Sequence, residues 1–201
     1  VKNCILIILY KESLLYEIRI HGRGGQGVVA CGELIALAAN FENKFCRAFP
    51  LYGAQRRGAP LTSFVSIGDE KYSTRSQILS PHCVIVLDTF LPKSVDVFNN
   101  LKEDGLVVYN TYLNVDEAYD FLGRPRIGCL AVVDATKIAM ENIGKPIPNT
   151  VMAAAFAKAS GLVGLEAILE GIRRRFTGPL AEKNALAAKV GYENVVFKRL
   201  V

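Results

Sequence analysis

Short apolar runs rich in β-branched residues alternate along this chain with longer stretches whose apolar positions recur every three to four residues. The runs at 17–21, 45–49, 61–67, 83–87, 106–110 and 130–134 predict strands. The stretches at 27–40, 92–102, 115–122, 136–143, 150–160, 165–176 and 180–190 predict helices. Such alternation produces a largely parallel sheet with helices on both faces.

The predicted fold class is therefore α/β: a single domain with a Rossmann-like, mixed but mostly parallel sheet, helices on both faces and a C-terminal helical region. The mixed character comes from the turn Gly68, Asp69, Glu70, which predicts a hairpin pairing the third strand with a short piece at 71–73. Pro146 and Pro148 exclude helix upstream of Asn149 and Thr150, whose side-chain oxygens can cap the free amides of the alanine-rich helix that follows.

The 201 residues suffice for one well-filled domain. The domain is assigned to 16–201. Residues 1–15 form an N-terminal extension whose structure the pattern does not fix, an extra strand, a disordered arm or a consequence of how the start was assigned, in which the apolar run from Cys4 to Tyr10 lacks a small-residue cleavage site and meets Lys11 and Glu12 at once. No run approaches the roughly eighteen apolar residues of a membrane span, so the protein is expected to be cytoplasmic, without a membrane partner.

Hydrophobic residues make up 51% and charged residues 21% of the chain, values that exclude disorder as the default. The net charge of +5 is spread out except at Arg173, Arg174 and Arg175. Those three fall at the carbonyl end of a predicted helix and read as a solvated face, so nucleic acid is not an expected partner. Five cysteines at wide, uneven gaps make no disulfide framework, and no C-x-x-C spacing is present to hold an iron–sulfur cluster or zinc.

Ligands of such sheets sit in the crevice beyond the carboxyl ends of the strands. The residues predicted there are 22–27, 50–60, Asp88 and Thr89, Asn110 and Thr111, and 134–136. Within "HGRGGQG", 21–27, Gly22, Gly24 and Gly27 have the G-x-G-x-x-G spacing of a phosphate-binding loop. Without β-carbons, the amides of Gly24, Gly25 and Gly27 can approach an anion, and the helix end adds about 0.3–2 kcal/mol. A nicotinamide or flavin site also requires a carboxylate about twenty residues on, at the end of the second strand. Glu42 has the count but precedes that strand, which ends at Phe49 and Pro50, so the dinucleotide reading lacks its partner.

Taken together, "HGRGGQGV" (21–28), "AFPLYGAQRRGAP" (48–60), "VVDAT" (132–136), "IPNT" (147–150) and Gly191, Tyr192, Glu193 resemble, in that order, the gamma subunit of the 2-oxoacid:ferredoxin oxidoreductases. Gly58, Ala59, Pro60 is similar to the pyruvate or branched-chain acid types. Gln55 departs from the pattern, standing where the family shows Glu. The resemblance implies a multi-subunit enzyme that oxidatively decarboxylates a 2-oxoacid, passes electrons to ferredoxin and forms an acyl-CoA. It implies alpha, beta and delta subunits as partners, with thiamine diphosphate, Mg2+ and 4Fe–4S clusters on those chains and none tightly bound to this one.

For this subunit the resemblance implies assembly and coenzyme A binding. The expected ligand-binding residues are Gly24, Gly25, Gln26 and Gly27 at the pyrophosphate, Arg56 or Arg57 at phosphate, and Asn149 or Thr150 at the pantetheine or adenosine part. Arginines suit an anionic ADP derivative where a ribose carboxylate does not. Each arginine can equally form a subunit-interface ion pair, and Asn149 and Thr150 can be helix caps alone. Neither His21 nor His82 has a telling neighbour, so no catalytic or metal-binding residue is assigned. A stand-alone nucleotide-binding module and an NAD-dependent oxidoreductase are the alternative functions.

Overall fold

The computed structural model describes residues 15–51, 58–69 and 77–200. Among these residues seven strands form one sheet: β1 Leu15–Arg23, β2 Phe45–Leu51, β3 Pro60–Gly68, β4 Cys83–Val86, β5 Leu106–Asn110, β6 Cys129–Val133 and β7 Val196–Arg199, in the order β2-β3-β1-β4-β5-β6-β7. The centre, β1-β4-β5-β6, is parallel, while β3 runs antiparallel to β1 and β2, and β7 antiparallel to β6. The mixed α/β sheet expected from the pattern is thus present. Its antiparallel members are β3, inserted between β1 and β2, and the edge strand β7; the piece at 71–73 lies outside the described residues.

Among the described residues six α-helices accompany it: α1 Val28–Phe41, α2 Val115–Phe121, α3 Ala135–Ile143, α4 Asn149–Ser160, α5 Leu165–Arg175 and α6 Pro179–Asn194. Successive side chains of a strand point to opposite faces. On one face Ile18, Ile20, Ile85, Leu87, Val108 and Ala131 pack against α1 and α3–α6; on the other Val84, Val86, Val107, Tyr109 and Leu130 pack against α2 and the segment before β5. Every residue of α4 but Lys158 is buried. Its alanines let it lie under α1, α5 and α6 as the middle of the helical layer, which is why it shows no polar stripe.

Two expectations fail on tertiary grounds. Segment 92–102 is not a helix: only Leu91–Lys93 forms a 3-10 turn. The buried Arg19 guanidinium reaches across from β1 to donate to the carbonyls of Val97 at 3.1 Å and Asn99 at 2.6 Å, taking oxygens a helix would use itself. Asp96 Oδ1 accepts from the amide of Phe98, and Asn100 has φ +55°. Strand β7 is the element the pattern missed, a four-residue edge strand whose Val196 and Phe197 pair with Val132 and Ala131. The Arg173–Arg175 run sits on solvent as expected, with Arg174 on Glu170 at 3.2 Å and Arg175 on Glu33.

Candidate functional site

The β1–α1 loop lies at the switch point of the sheet, where α1 leaves to one face and the β4–β5 connection to the other. Its first glycine is dictated by packing: a β-carbon on Gly22 would stand 2.6 Å from Val28 Cγ2 and 3.1 Å from Leu87 Cβ. Gly27, the residue before α1, has φ +78°, and a β-carbon there would fall 2.6 Å from Asn149 Nδ2. The loop and the start of α4 therefore meet face to face. Asn149 is 5% exposed; its Oδ1 accepts from the amide of Thr150 at 2.8 Å, while its Nδ2 donates to no group among the described residues.

Asn149 is the first residue of α4 and Pro148 holds the cap position without a side-chain cap bond, so the Asn149–Thr150 pair, expected to cap the helix, lies inside it, and Asn149 Oδ1 accepts only from the next residue's amide. Thr150 is wholly buried and its hydroxyl donates to Asn184 Oδ1 at 3.3 Å. Both residues of the pair are buried, Thr150 completely and Asn149 to 5% exposure.

The four loop positions divide into two pairs. The Gly24 amide donates to the Ala59 carbonyl at 3.0 Å, and Gly58 donates back to the Gly24 carbonyl at 3.2 Å. The Gln26 side chain accepts from the amide of Arg23 at 2.7 Å and donates to Asp88 Oδ2 at 2.8 Å. These bonds engage the Gly24 amide and one N–H of the Gln26 carboxamide in shaping the loop. The amides of Gly25 and Gly27 donate to no group among the described residues, and α1 has no side-chain cap. Those donors, the positive end of α1 and Asn149 Nδ2 make an arrangement that accepts an anion or a carbonyl. Arg56 and Arg57 lie outside the described residues; they directly precede Gly58, whose amide is tied to the loop.

Among the described crevice residues, Thr89, Asn110, Asp134 and Thr136 are engaged in bonds that hold the fold. Asn110, 1% exposed, donates from Nδ2 to the Leu87 carbonyl and to Thr136 Oγ1, both at 2.7 Å, and accepts from the Thr136 amide at 3.2 Å. Thr89 donates to the Asn110 carbonyl, and Asp134 caps α3 by accepting from the amide of Lys137 at 3.0 Å. Their polar composition thus joins strand ends and caps helices. Asp88 and Arg23, placed in the crevice by the sequence but not among its expected ligands, are the two charges that sit on the loop. The signal that could have found them is the carboxylate just past the strand that pairs with β1.

The geometry also disposes of a ribose carboxylate. Glu42 caps the far end of α1, about 20 Å along a fourteen-residue helix from the loop, where its Oε1 accepts from the Gly164 amide at the start of α5. Strand β3 also stands where a dinucleotide fold has its second strand. His21, 7% exposed, accepts from Arg19 Nε at 3.0 Å through Nε2, and burial, then the adjacent guanidinium, pushes its pKa down to about 3. It is a neutral structural acceptor.

Three comparisons agree with the arrangement of these elements. Residues 17–194 match the family model of pyruvate ferredoxin/flavodoxin oxidoreductase. The chain is 46% identical over 186 residues to the common gamma subunit of the pyruvate and ketoisovalerate oxidoreductases of Thermococcus kodakarensis, covering 92% of this chain and 100% of that one. It is 45% identical over 181 residues to pyruvate synthase subunit PorC of Methanothermobacter marburgensis, covering 90% and 98%. The crystal structure of pyruvate oxidoreductase subunit PORC from Thermotoga maritima superposes with a TM-score of 0.82 at 37% identity, over 93% of this chain and 100% of that one. With a matching family model over most of its length and full-length relatives of this identity, the chain belongs to the pyruvate ferredoxin/flavodoxin oxidoreductase family, in its gamma-subunit branch.

Proposed function

We propose that this chain is the gamma subunit of a multi-subunit oxidoreductase that converts a 2-oxoacid, pyruvate foremost, and coenzyme A to an acyl-CoA with ferredoxin as electron carrier, and that it helps to hold coenzyme A. The observation that carries the binding role is the β1–α1 loop: among the described residues the amides of Gly25 and Gly27 and the Nδ2 of the buried Asn149 find no acceptor, and Asn149 packs against Gly27 at the start of α1, which has no side-chain cap. A pyrophosphate and its neighbouring amides need donors, and this spot presents donors. Arg56 and Arg57, which precede Gly58 in the sequence, are the proposed partners of phosphate. Gly24 and Gln26 serve by holding the loop in shape, and Thr150 by seating Asn184.

Thiamine diphosphate with Mg2+ and 4Fe–4S clusters, assigned to the alpha, beta and delta chains, would supply the decarboxylation and the electron path. The present chain contributes orientation, keeping the thiol carrier where its reaction needs it. No described helix is long and apolar enough to cross a membrane.

Recovery of the tagged chain from its own cells is expected to bring thiamine-binding and cluster-bearing chains with it; recovery alone would refute the subunit reading. In the assembled enzyme, Arg56→Ala and Arg57→Ala, made singly, are expected to raise the coenzyme A KM while leaving the 2-oxoacid KM unchanged. An unchanged coenzyme A KM in both would place these arginines outside the ligand site.

A further inference from the structure

Asp88 follows β4, the parallel neighbour of β1, and its carboxylate is 15% exposed beside the loop. Oδ2 accepts from Gln26 Nε2 at 2.8 Å and lies 3.4 Å from Arg23 Nε, while Oδ1 accepts from the Phe90 amide at 3.1 Å. Gln26 in turn holds the Arg23 amide, and Arg23 Nη1 donates to the Gly58 carbonyl at 3.3 Å. One carboxylate thus fastens both ends of the loop, and through Arg23 the segment entering β3. A negative charge next to a site built of donors opposes an anionic ligand, so its presence there calls for another role. The bonds supply it: without Asp88 the Gln26 carboxamide and the Arg23 guanidinium lose their shared acceptor, and Gly25 and Gly27 lose the frame that aims their amides.

We propose that Asp88 is a positioning residue, which sets the 23–27 loop for anion binding by clamping Gln26 and Arg23 rather than by touching the ligand. The proposal rests on the coenzyme A reading of the loop. The test uses the assembled enzyme with Asp88→Ala and the isosteric Asp88→Asn, the second retaining one acceptor oxygen and securing a folded variant. Amide hydrogen exchange of residues 22–27 reads the clamp without any ligand, and steady-state kinetics read its effect.

The expected result is faster exchange in the loop and a coenzyme A KM raised about tenfold in Asp88→Ala, the loss of a charged hydrogen bond, with a smaller rise in Asp88→Asn. The 2-oxoacid KM and the kcat at saturating coenzyme A stay within twofold. Unchanged loop exchange in both variants overturns the positioning role, as does a coenzyme A KM that falls in both, which would mark Asp88 as a repelling charge only. Faster exchange with an unchanged coenzyme A KM supports the clamp and refutes the coenzyme A reading instead, so the two failures are told apart.

Discussion

Gly27 offers the sharpest test of how the loop and α4 are joined. An alanine there must hold φ +78°, a left-handed conformation that costs an L-residue about 1–2 kcal/mol. Its β-carbon would also stand 2.6, 2.8 and 2.9 Å from Nδ2, Cγ and Cβ of Asn149, a side chain packed at the start of a buried helix. Forcing such a contact costs a further ~1–3 kcal/mol. Urea unfolding of the full chain should therefore show Gly27→Ala to be less stable by roughly 2–5 kcal/mol, as the sum of these two terms. The two parts separate in a double-mutant cycle. In an Asn149→Gly background the clash is gone and only the backbone cost of about 1–2 kcal/mol remains, giving a coupling of about 1–3 kcal/mol. Additivity within about 0.5 kcal/mol, with unchanged m-values, would refute the close contact between loop and helix.

Two further outcomes follow from buried polar groups. His21 and His82 are held down to about 3 and about 4, by burial first and by Arg19 and Lys102 second. The native state then binds fewer protons than the unfolded state below the usual value of 6.5, so stability is full above that pH and falls as pH drops. Between pH 6.5 and 5 the loss approaches 1.4 kcal/mol per pH unit for each histidine. Urea midpoints across that window should fall, and should fall less in His21→Gln or His82→Gln; a flat wild-type profile refutes the assignment. Asn110→Ala removes three hydrogen bonds at a site 1% exposed and leaves the Leu87 carbonyl without its donor. A loss of about 3 kcal/mol in urea unfolding is expected, and a loss under 1 kcal/mol would show that Asn110 does not join β4 to α3.

What the sequence determined by itself was the order of elements and the chemistry at one edge of the sheet. Apolar runs of strand length and stretches of helical period are local properties, so six of the strands and six of the helices were legible to within a few residues. The glycine spacing pointed to a phosphate-type loop, the reading proposed for it above, and the misplaced Glu42 already told against a dinucleotide. Strand β7 escaped because four residues following a helix carry little period, and their strand state comes from pairing with β6. Segment 92–102 was misread because Arg19, far away in sequence, takes its carbonyls. The antiparallel β3 between β1 and β2 was likewise decided by pairing. So was the division of labour in the loop: which donors of "GRGGQG" remain available depends on Ala59, Asp88 and Asn149, each brought to the loop only when the sheet and α4 assemble. A sequence motif records which groups a loop carries; hydrogen bonds formed across the fold decide which of them are left for a ligand.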